Sequence, residues 1–440
     1  MREFIHPGTF ARAEGVRVFV GDAEAEVLRT RETMFVCACV KAHTTARVVA
    51  ETDVGETTLQ PARHKLAATP AGRNADGSGV PDGRAVSFTA EPGRHLLLRM
   101  SNQPLPLFFY ACPPEKPDTS ATWFFKGGQT YEVGELRLRD NESVYLERGA
   151  VLRGRIIAEH AKNIRIAGQG ILDNSWSTHH GRRERSIFLL DCQDVVIEDI
   201  LMVHPTSWML HLAGCENVRV RRLRQLGECC SSDGVDIVGT RNVVVEDCFL
   251  RNNDDCVVVK HCPPNRDPAL EKYMKPVSGV LVQRCVFFNA GAGNVVEIGH
   301  ELVCDEVRDI VFRDIDILRK DHNGAVFSIH AGDQARVRDV LFEDIRVEHY
   351  WDKLVDFRVM RSQFNRSPER GHIENVTLRD IRVNHMACND GYSISIIGGW
   401  DAQHMARNIR FENFYLNDKK VMGASDFDLH TKFAEGITFA

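Results

Sequence analysis

Nine short apolar runs, each opened by Asn, Asp or Gly, recur along the last two-thirds of the chain. The first two read Asn163-Ile164-Arg165-Ile166 and Asp194-Val195-Val196-Ile197; the others open at Asn217, Asn242, Gly279, Asp309, Asp339, Asn375 and Asn408. Successive openings lie 23 to 37 residues apart. That is the length of one solenoid coil with loops of variable size. Each run is rich in β-branched residues, and no helix-period pattern separates the runs, which disfavours βαβ and leucine-rich architectures. One coil cannot bury its apolar face, whereas a stack of coils buries a continuous core. The expectation is an all-β chain built on a right-handed parallel β-helix, its hand set by the twist of parallel crossovers. Its first coils should begin near residues 136–138, 143–146 and 150–154.

The region before the repeats reads differently. Short strand-like runs at 16–20, 34–40, 47–50 and 95–100 are split by Gly, Asp and Pro, and residues 68–84 have loop composition. A small antiparallel β-sandwich over residues 1–115 fits this pattern. The Pro-rich stretch from Cys112 to Thr119 reads as a linker, and the β-helix is expected over 120–440.

Composition narrows the function classes. The 440 residues carry a formal net charge of −6 with both signs interspersed, which gives no basis for nucleic acid as a partner. No run of about 18 apolar residues is present, so no membrane-spanning helix is expected. The N-terminus lacks an apolar signal-type segment, which points to a cytoplasmic location. Thirteen cysteines, an odd number, read as buried thiols rather than a disulfide framework. They lack zinc-type spacing, and neither a metal nor another cofactor is expected. The oligomeric state stays open.

The chemistry gathers on two consecutive coils. Ser232-Asp233-Gly234-Val235-Asp236 is followed by Asn252-Asn253-Asp254-Asp255-Cys256. Stacked coils lie about 4.8 Å apart, so Asp233 and the Asp254–Asp255 pair should share one patch. Crowded carboxylates raise one another's pKa, which suits a proton donor beside a water-activating base. Glycosidic bond cleavage needs that combination, while turn residues or a calcium site are the plainer readings. In strict pleated geometry Asp254 and Asp255 would face opposite ways; both reach one cleft only if the chain bends there. Asp236 is a fourth candidate, and Lys260 is expected to pair with a carboxylate rather than act as a base.

The series Met202-Val203-His204-Pro205-Thr206-Ser207-Trp208, Gly214-Cys215-Glu216-Asn217-Val218, Ser232-Asp233-Gly234-Val235-Asp236 and Asp254-Asp255-Cys256-Val257-Val258-Val259-Lys260 resembles glycoside hydrolase family 28, the polygalacturonases, over about residues 140–300. The resemblance implies a pectin-lyase-like right-handed β-helix and inverting hydrolysis of an oligo- or polysaccharide. Asp254 would be the general acid, with Asp233 and Asp255 positioning and activating water. In an inverting enzyme the carboxyl groups of acid and base are expected about 6.5–9.5 Å apart.

Two departures bear on the substrate. The family's Gly-His-Gly is replaced by Gly291-Ala292-Gly293, followed by Glu297, His300 and Glu301 as new polar residues. The family's Arg-Ile-Lys, which pairs with a uronate, is missing from the stretch Asn323 to His330, leaving Arg336 and Arg358 as possible substitutes. A lone carboxylate in an apolar strand is costly, so Glu297 is expected to face the cleft and accept hydrogen bonds from sugar hydroxyls. His300, His330, Trp208, Lys260 and Asp236 complete the candidate substrate-binding set. The histidines could equally be surface residues at strand ends, and Trp208 a core side chain. The alternatives are a polysaccharide lyase on the same fold or a non-catalytic carbohydrate-binding β-helix.

Overall fold

The computed structural model describes residues 10–63, 83–384 and 393–440. The expected loop at 68–84 lies almost wholly outside them. The chain forms two compact units: Met1–Glu132 with Tyr145–Leu152 and Gly168–Ile171, and a second made of Val133–Val144, Arg153–Ala167 and Leu172–Ala440.

The first unit contains two sheets. One holds Met34–Cys39, Leu107–Cys112, His95–Met100 and Thr57–Gln60; the other holds Val16–Val20, Thr44–Ala50 and Ala85–Ala90. Val18, Val48 and Phe88 meet Val36, Leu98 and Phe109 in one core. The expected sandwich is present, but it is not purely antiparallel, because Leu107–Cys112 runs parallel to Met34–Cys39. This run, Leu-Phe-Phe-Tyr-Ala-Cys, is buried at every residue, the mark of a central strand covered on both faces. The stretch read as a linker is also anchored. Glu115 accepts hydrogen bonds from Tyr145 Oη at 3.1 Å and from the backbone N–H groups of Arg148 and Gln169 at 2.9 and 3.0 Å.

The second unit is a parallel β-helix. The second residue of each repeat stacks on the next in a single ladder: Ile164, Val195, Val218, Val243, Val280, Ile310, Val340, Val376 and Ile409. All nine are buried, and each fully buried aliphatic side chain is worth about 1.5–3 kcal/mol of transfer free energy. The opening residue of every repeat has positive φ, between 54 and 58° for the Asn and Asp residues and 67° for Gly279. Asn, Asp and Gly tolerate this left-handed corner where other residues are strained. The side chains also bond between coils, Asn217 Nδ2 to Asp194 at 2.9 Å and Asn242 Nδ2 to Asn217 at 3.1 Å. The repeat visible in the sequence is therefore a corner plus the first core residue after it.

A second row positions the polar residues. Leu210, Val235, Val257, Val296, Phe327 and Val355 stack as core, and the residues that follow them, His211, Asp236, Val258, Glu297, Ser328 and Asp356, form the adjacent row on the opposite face. Two residues on, the same face carries Lys260, Gly299, His330 and Arg358, as strand alternation requires.

Asn242→Ala should destabilise the β-helix by about 1–2 kcal/mol, since it loses both the inter-coil bond and the tolerance for a left-handed corner. Asn242→Gly, which keeps the corner, should cost less. Denaturant unfolding of the two variants checks the order; equal losses would mean that the corner conformation does not matter.

Candidate active site

The strand Phe249–Asn252 ends just before the two aspartates, and the next strand, Val257–His261, begins just after them. Asp254 and Asp255 thus sit on the bend that the sequence required for both to reach one place. Asn252 holds this bend: its amide nitrogen donates to Ser232 O at 3.0 Å and to Gln225 Oε1 at 3.2 Å. Gly293, with φ +77°, approaches from the next coil so closely that a Cβ there would collide with Asp254 Oδ1. One oxygen from each of Asp233, Asp254 and Asp255 lies within 4.8 Å of the other two. The trio is brought together on one patch, as expected.

Lys260 organises the floor. Its Nζ lies 3.1 Å from Asp233 Oδ2 and 3.2 Å from Asp236 Oδ1. It pairs with carboxylates, as expected of it. Burial alone would lower its pKa, but the charges of Asp233 and Asp236 outweigh this and push it well above the usual lysine range. Asp236 is fully buried, and burial pushes its carboxyl well up despite Lys260. Asp233 Oδ1 and Asp236 Oδ2 have no hydrogen-bond partner among the described residues. Such an oxygen-rich patch has the character that suits calcium, and Lys260 already supplies a positive charge beside it.

The two vicinal aspartates differ in exposure. Asp255 is buried and accepts hydrogen bonds from Asn294 N at 2.6 Å and Asn294 Nδ2 at 3.3 Å. Asp254 is only partly buried. Burial first, then the charges of Asp233 and Asp255, push the Asp254 carboxyl up to about 9. Asp255 is also pushed well up, by burial and by Asp233 and Glu297.

Glu297 lies in the row that carries Asp236, but its carboxylate is enclosed rather than open to a sugar. It is 1% exposed, and its two oxygens are taken by His330 Nδ1 at 3.0 Å and Asn294 Nδ2 at 3.0 Å. The cost of burying it is met by partners rather than by solvent. His330 is likewise buried, not a surface histidine; its Nε2 lies 3.3 Å from Asp356. Burial would lower its pKa, but Glu297 and Asp356 carry it up to about 10. His300 stacks on His330 with ring centroids 4.5 Å apart, and burial pushes it down to about 4. Its Nδ1 has no hydrogen-bond partner among the described residues, and the Phe364 ring centroid lies 5.2 Å from its own. Trp208 carries Lys260 at 4.0 Å and Arg185 at 5.2 Å from its ring centroid, so it serves the cations of the site. Arg358 is bound to Asp356 at 2.5 and 2.7 Å, and Arg336 to Glu374 at 3.0 Å.

Sequence reasoning missed Asn294, Asp356 and His211. Asp356 lies in Leu-Val-Asp-Phe-Arg-Val, an apolar strand, and carried the same signal as Glu297. His211 is fully buried beside Asp236 on the preceding coil, and burial pushes its pKa well down.

No protein-family model matches the chain. A polygalacturonase of Arabidopsis thaliana is 21% identical over 240 residues, covering 50% of this chain and 49% of that protein. A probable rhamnogalacturonase B of Aspergillus oryzae is 25% identical over 218 residues, covering 47% of this chain and 35% of that protein. The match thus spans half or less of these relatives' length. Among solved structures, Dex49A from Penicillium minioluteum has a TM-score of 0.70 at 12% identity, over 100% of this chain and 96% of that one. A family 28 exopolygalacturonase of Yersinia enterocolitica has a TM-score of 0.53 at 13% identity, over 91% of this chain and 94% of that one. These likenesses establish the shared fold.

The raised pKa of His330 has a consequence for stability. A histidine at about 10 in the folded chain, against about 6.5 unfolded, contributes stability that is complete below the unfolded value and lost as pH rises through about 10. Asp254, held up to about 9, adds to the loss in the same direction. The melting temperature should therefore fall between pH 7 and 10, and less steeply in the double variant Glu297→Gln/His330→Gln. Identical slopes in thermal melts across that range would refute the assignment.

Proposed function

We propose that this chain, a divergent member of the family 28-like group of β-helical glycoside hydrolases, cleaves O-glycosidic bonds of an oligo- or polysaccharide with Asp254 as general acid. The observation that carries this reading is the state of Asp254. It is the partly exposed member of the carboxyl trio, and with its pKa pushed up to about 9 it keeps its proton at neutral pH. That proton passes to the leaving oxygen as the glycosidic bond breaks. Water attacks the anomeric carbon and gives its proton to Asp233, the member of the Asp233–Asp255 pair bonded to Lys260, while Asp255 positions the water. Asp233 is held by Lys260 and has one unpartnered oxygen for the water; Asp255 is held by Asn294.

Inversion is the outcome that the family resemblance implies. Retention, for which the carboxyls would lie about 5–5.5 Å apart, is the second reading, since the nearest oxygens of the trio lie within 4.8 Å of one another. Anomers of the first product, followed by NMR, separate the two: an inverted anomer supports single displacement, and a retained one overturns it.

We further infer a neutral sugar at the cleavage site. The two arginines that could replace the family's missing cations are each spent on a carboxylate, and His330 lies between two more. A uronate needs a free cation. Polygalacturonate should therefore be cleaved poorly beside neutral glycans in a chromatographic screen of oligosaccharides; efficient cleavage of polygalacturonate would overturn this inference.

Asp254→Asn should lower turnover on a natural substrate by about 10²–10⁴-fold with folding intact. In the wild type, activity should decline as pH rises through about 9, where the acid loses its proton. Near-normal rates in both Asp254→Asn and Asp255→Asn would exclude these roles.

A further inference from the structure

Behind the carboxyl trio runs a continuous line of polar contacts. Arg358 donates to Asp356 at 2.5 and 2.7 Å; Asp356 lies 3.3 Å from His330 Nε2; His330 Nδ1 lies 3.0 Å from Glu297 Oε1. Glu297 Oε2 accepts from Asn294 Nδ2 at 3.0 Å, and Asn294 donates to Asp255 Oδ1 through its backbone and side chain. Glu297, Asn294, His330 and Asp356 are 1, 7, 5 and 3% exposed, so none of them offers a surface to a sugar. Asn294 cannot flip its amide without loss, because its Oδ1 accepts from Ala325 N at 2.8 Å.

We propose that His330 is a positioning residue, which acts through Glu297 and Asn294 to set the orientation and charge of Asp255. This rests on the reading of Asp255 as half of the water-activating pair. Asp255 faces Asp233, Asp254 and Glu297 as like charges, with Lys260 and Lys320 as counter-charges. His330 faces Glu297 and the stacked His300 from the preceding coil, Asp356 and beyond it Arg358 from the following coil, and Ser328 on its own strand. The imidazolium cancels the charge of Glu297 while leaving it an anion that grips the amide of Asn294. Asp255 then meets two N–H donors instead of a bare carboxylate. Without the imidazolium, Glu297 stands uncompensated, while Asp356 keeps Arg358, and Asp255 holds its proton to higher pH.

The test is the acidic limb of the kcat/KM pH profile. In His330→Gln it should move up by about one pH unit or more, with kcat falling more than KM rises. In Glu297→Gln/His330→Gln, where both charges are gone, the limb should move back toward the wild-type position. An unmoved limb in His330→Gln, no return in the double variant, or an effect confined to KM would overturn the proposal. Should His330→Gln fail to fold, ¹³C-labelled histidine spectra of the wild type give a second readout. The ring resonance that responds to Glu297→Gln should remain imidazolium past pH 8, and titration near ~6.5 would overturn the proposal whatever the substrate. Failure of Asp254→Asn to slow catalysis would overturn the hydrolase reading, whereas an unmoved limb in His330→Gln overturns only the link from His330 to Asp255.

Discussion

Stacked coils lie about 4.8 Å apart, and every residue in a row has a neighbour of the same row directly above and below it. For the ladder from Ile164 to Ile409 this produces a dry core from nine separate repeats. For the cleft row it creates a difficulty, because carboxylates on successive coils repel at a distance where little solvent intervenes. The chain answers by interleaving cations. Lys260 lies between Asp233 and Asp236, and His330 between Glu297 and Asp356, with Arg358 on the far side of Asp356. The vicinal pair Asp254 and Asp255 is left with no ion-pair partner of its own among the described residues. Both are pushed upward, as is Asp236 despite Lys260, and Asp254 is the one of the three that is only partly buried.

The stacking explains why much of the fold was legible. Asn, Asp and Gly at the openings are demanded by a left-handed corner, and the β-branched residue after each is demanded by the core. Both requirements are local, so they appear as a pattern despite loops that vary in length. The aspartate trio was legible for a related reason: its members lie on adjacent coils, and the bend at Asn252 that joins them uses residues suited to bends. The parallel pairing of Leu107–Cys112 was not legible, because a continuous apolar run does not reveal its direction.

The supporting shell of the site was harder to read. Glu297 was recognised as costly in an apolar strand, yet its partner is 33 residues away on another coil. With coil lengths between 23 and 37 residues, spacing cannot say which side chain lies opposite. Exposure was therefore assumed where pairing is found. Asp356 carried the same signal in a similar strand, and treating both as one buried pair awaiting a cation between them would have pointed to His330. Asn294 had no such signal, since its role depends on three separate bonds to Asp255, Glu297 and Ala325.

Charge balance along the cleft wall links this shell to recognition. On the coils beyond the trio, the carboxylates of Glu297 and Asp356 are matched by the cations of His330 and Arg358. A wall balanced in this way has little net field with which to attract a charged sugar. His300 is pushed down to about 4 by burial, and its Nδ1 has no hydrogen-bond partner among the described residues, with the exposed ring of Phe364 beside it. An aromatic face next to a neutral hydrogen-bonding nitrogen suits the mixed apolar and hydroxyl surface of an uncharged pyranose. On the proposed reading, the ion pairs that stand behind Asp255 also occupy the cations that a uronate would need, which would tie catalysis and specificity to the same buried contacts.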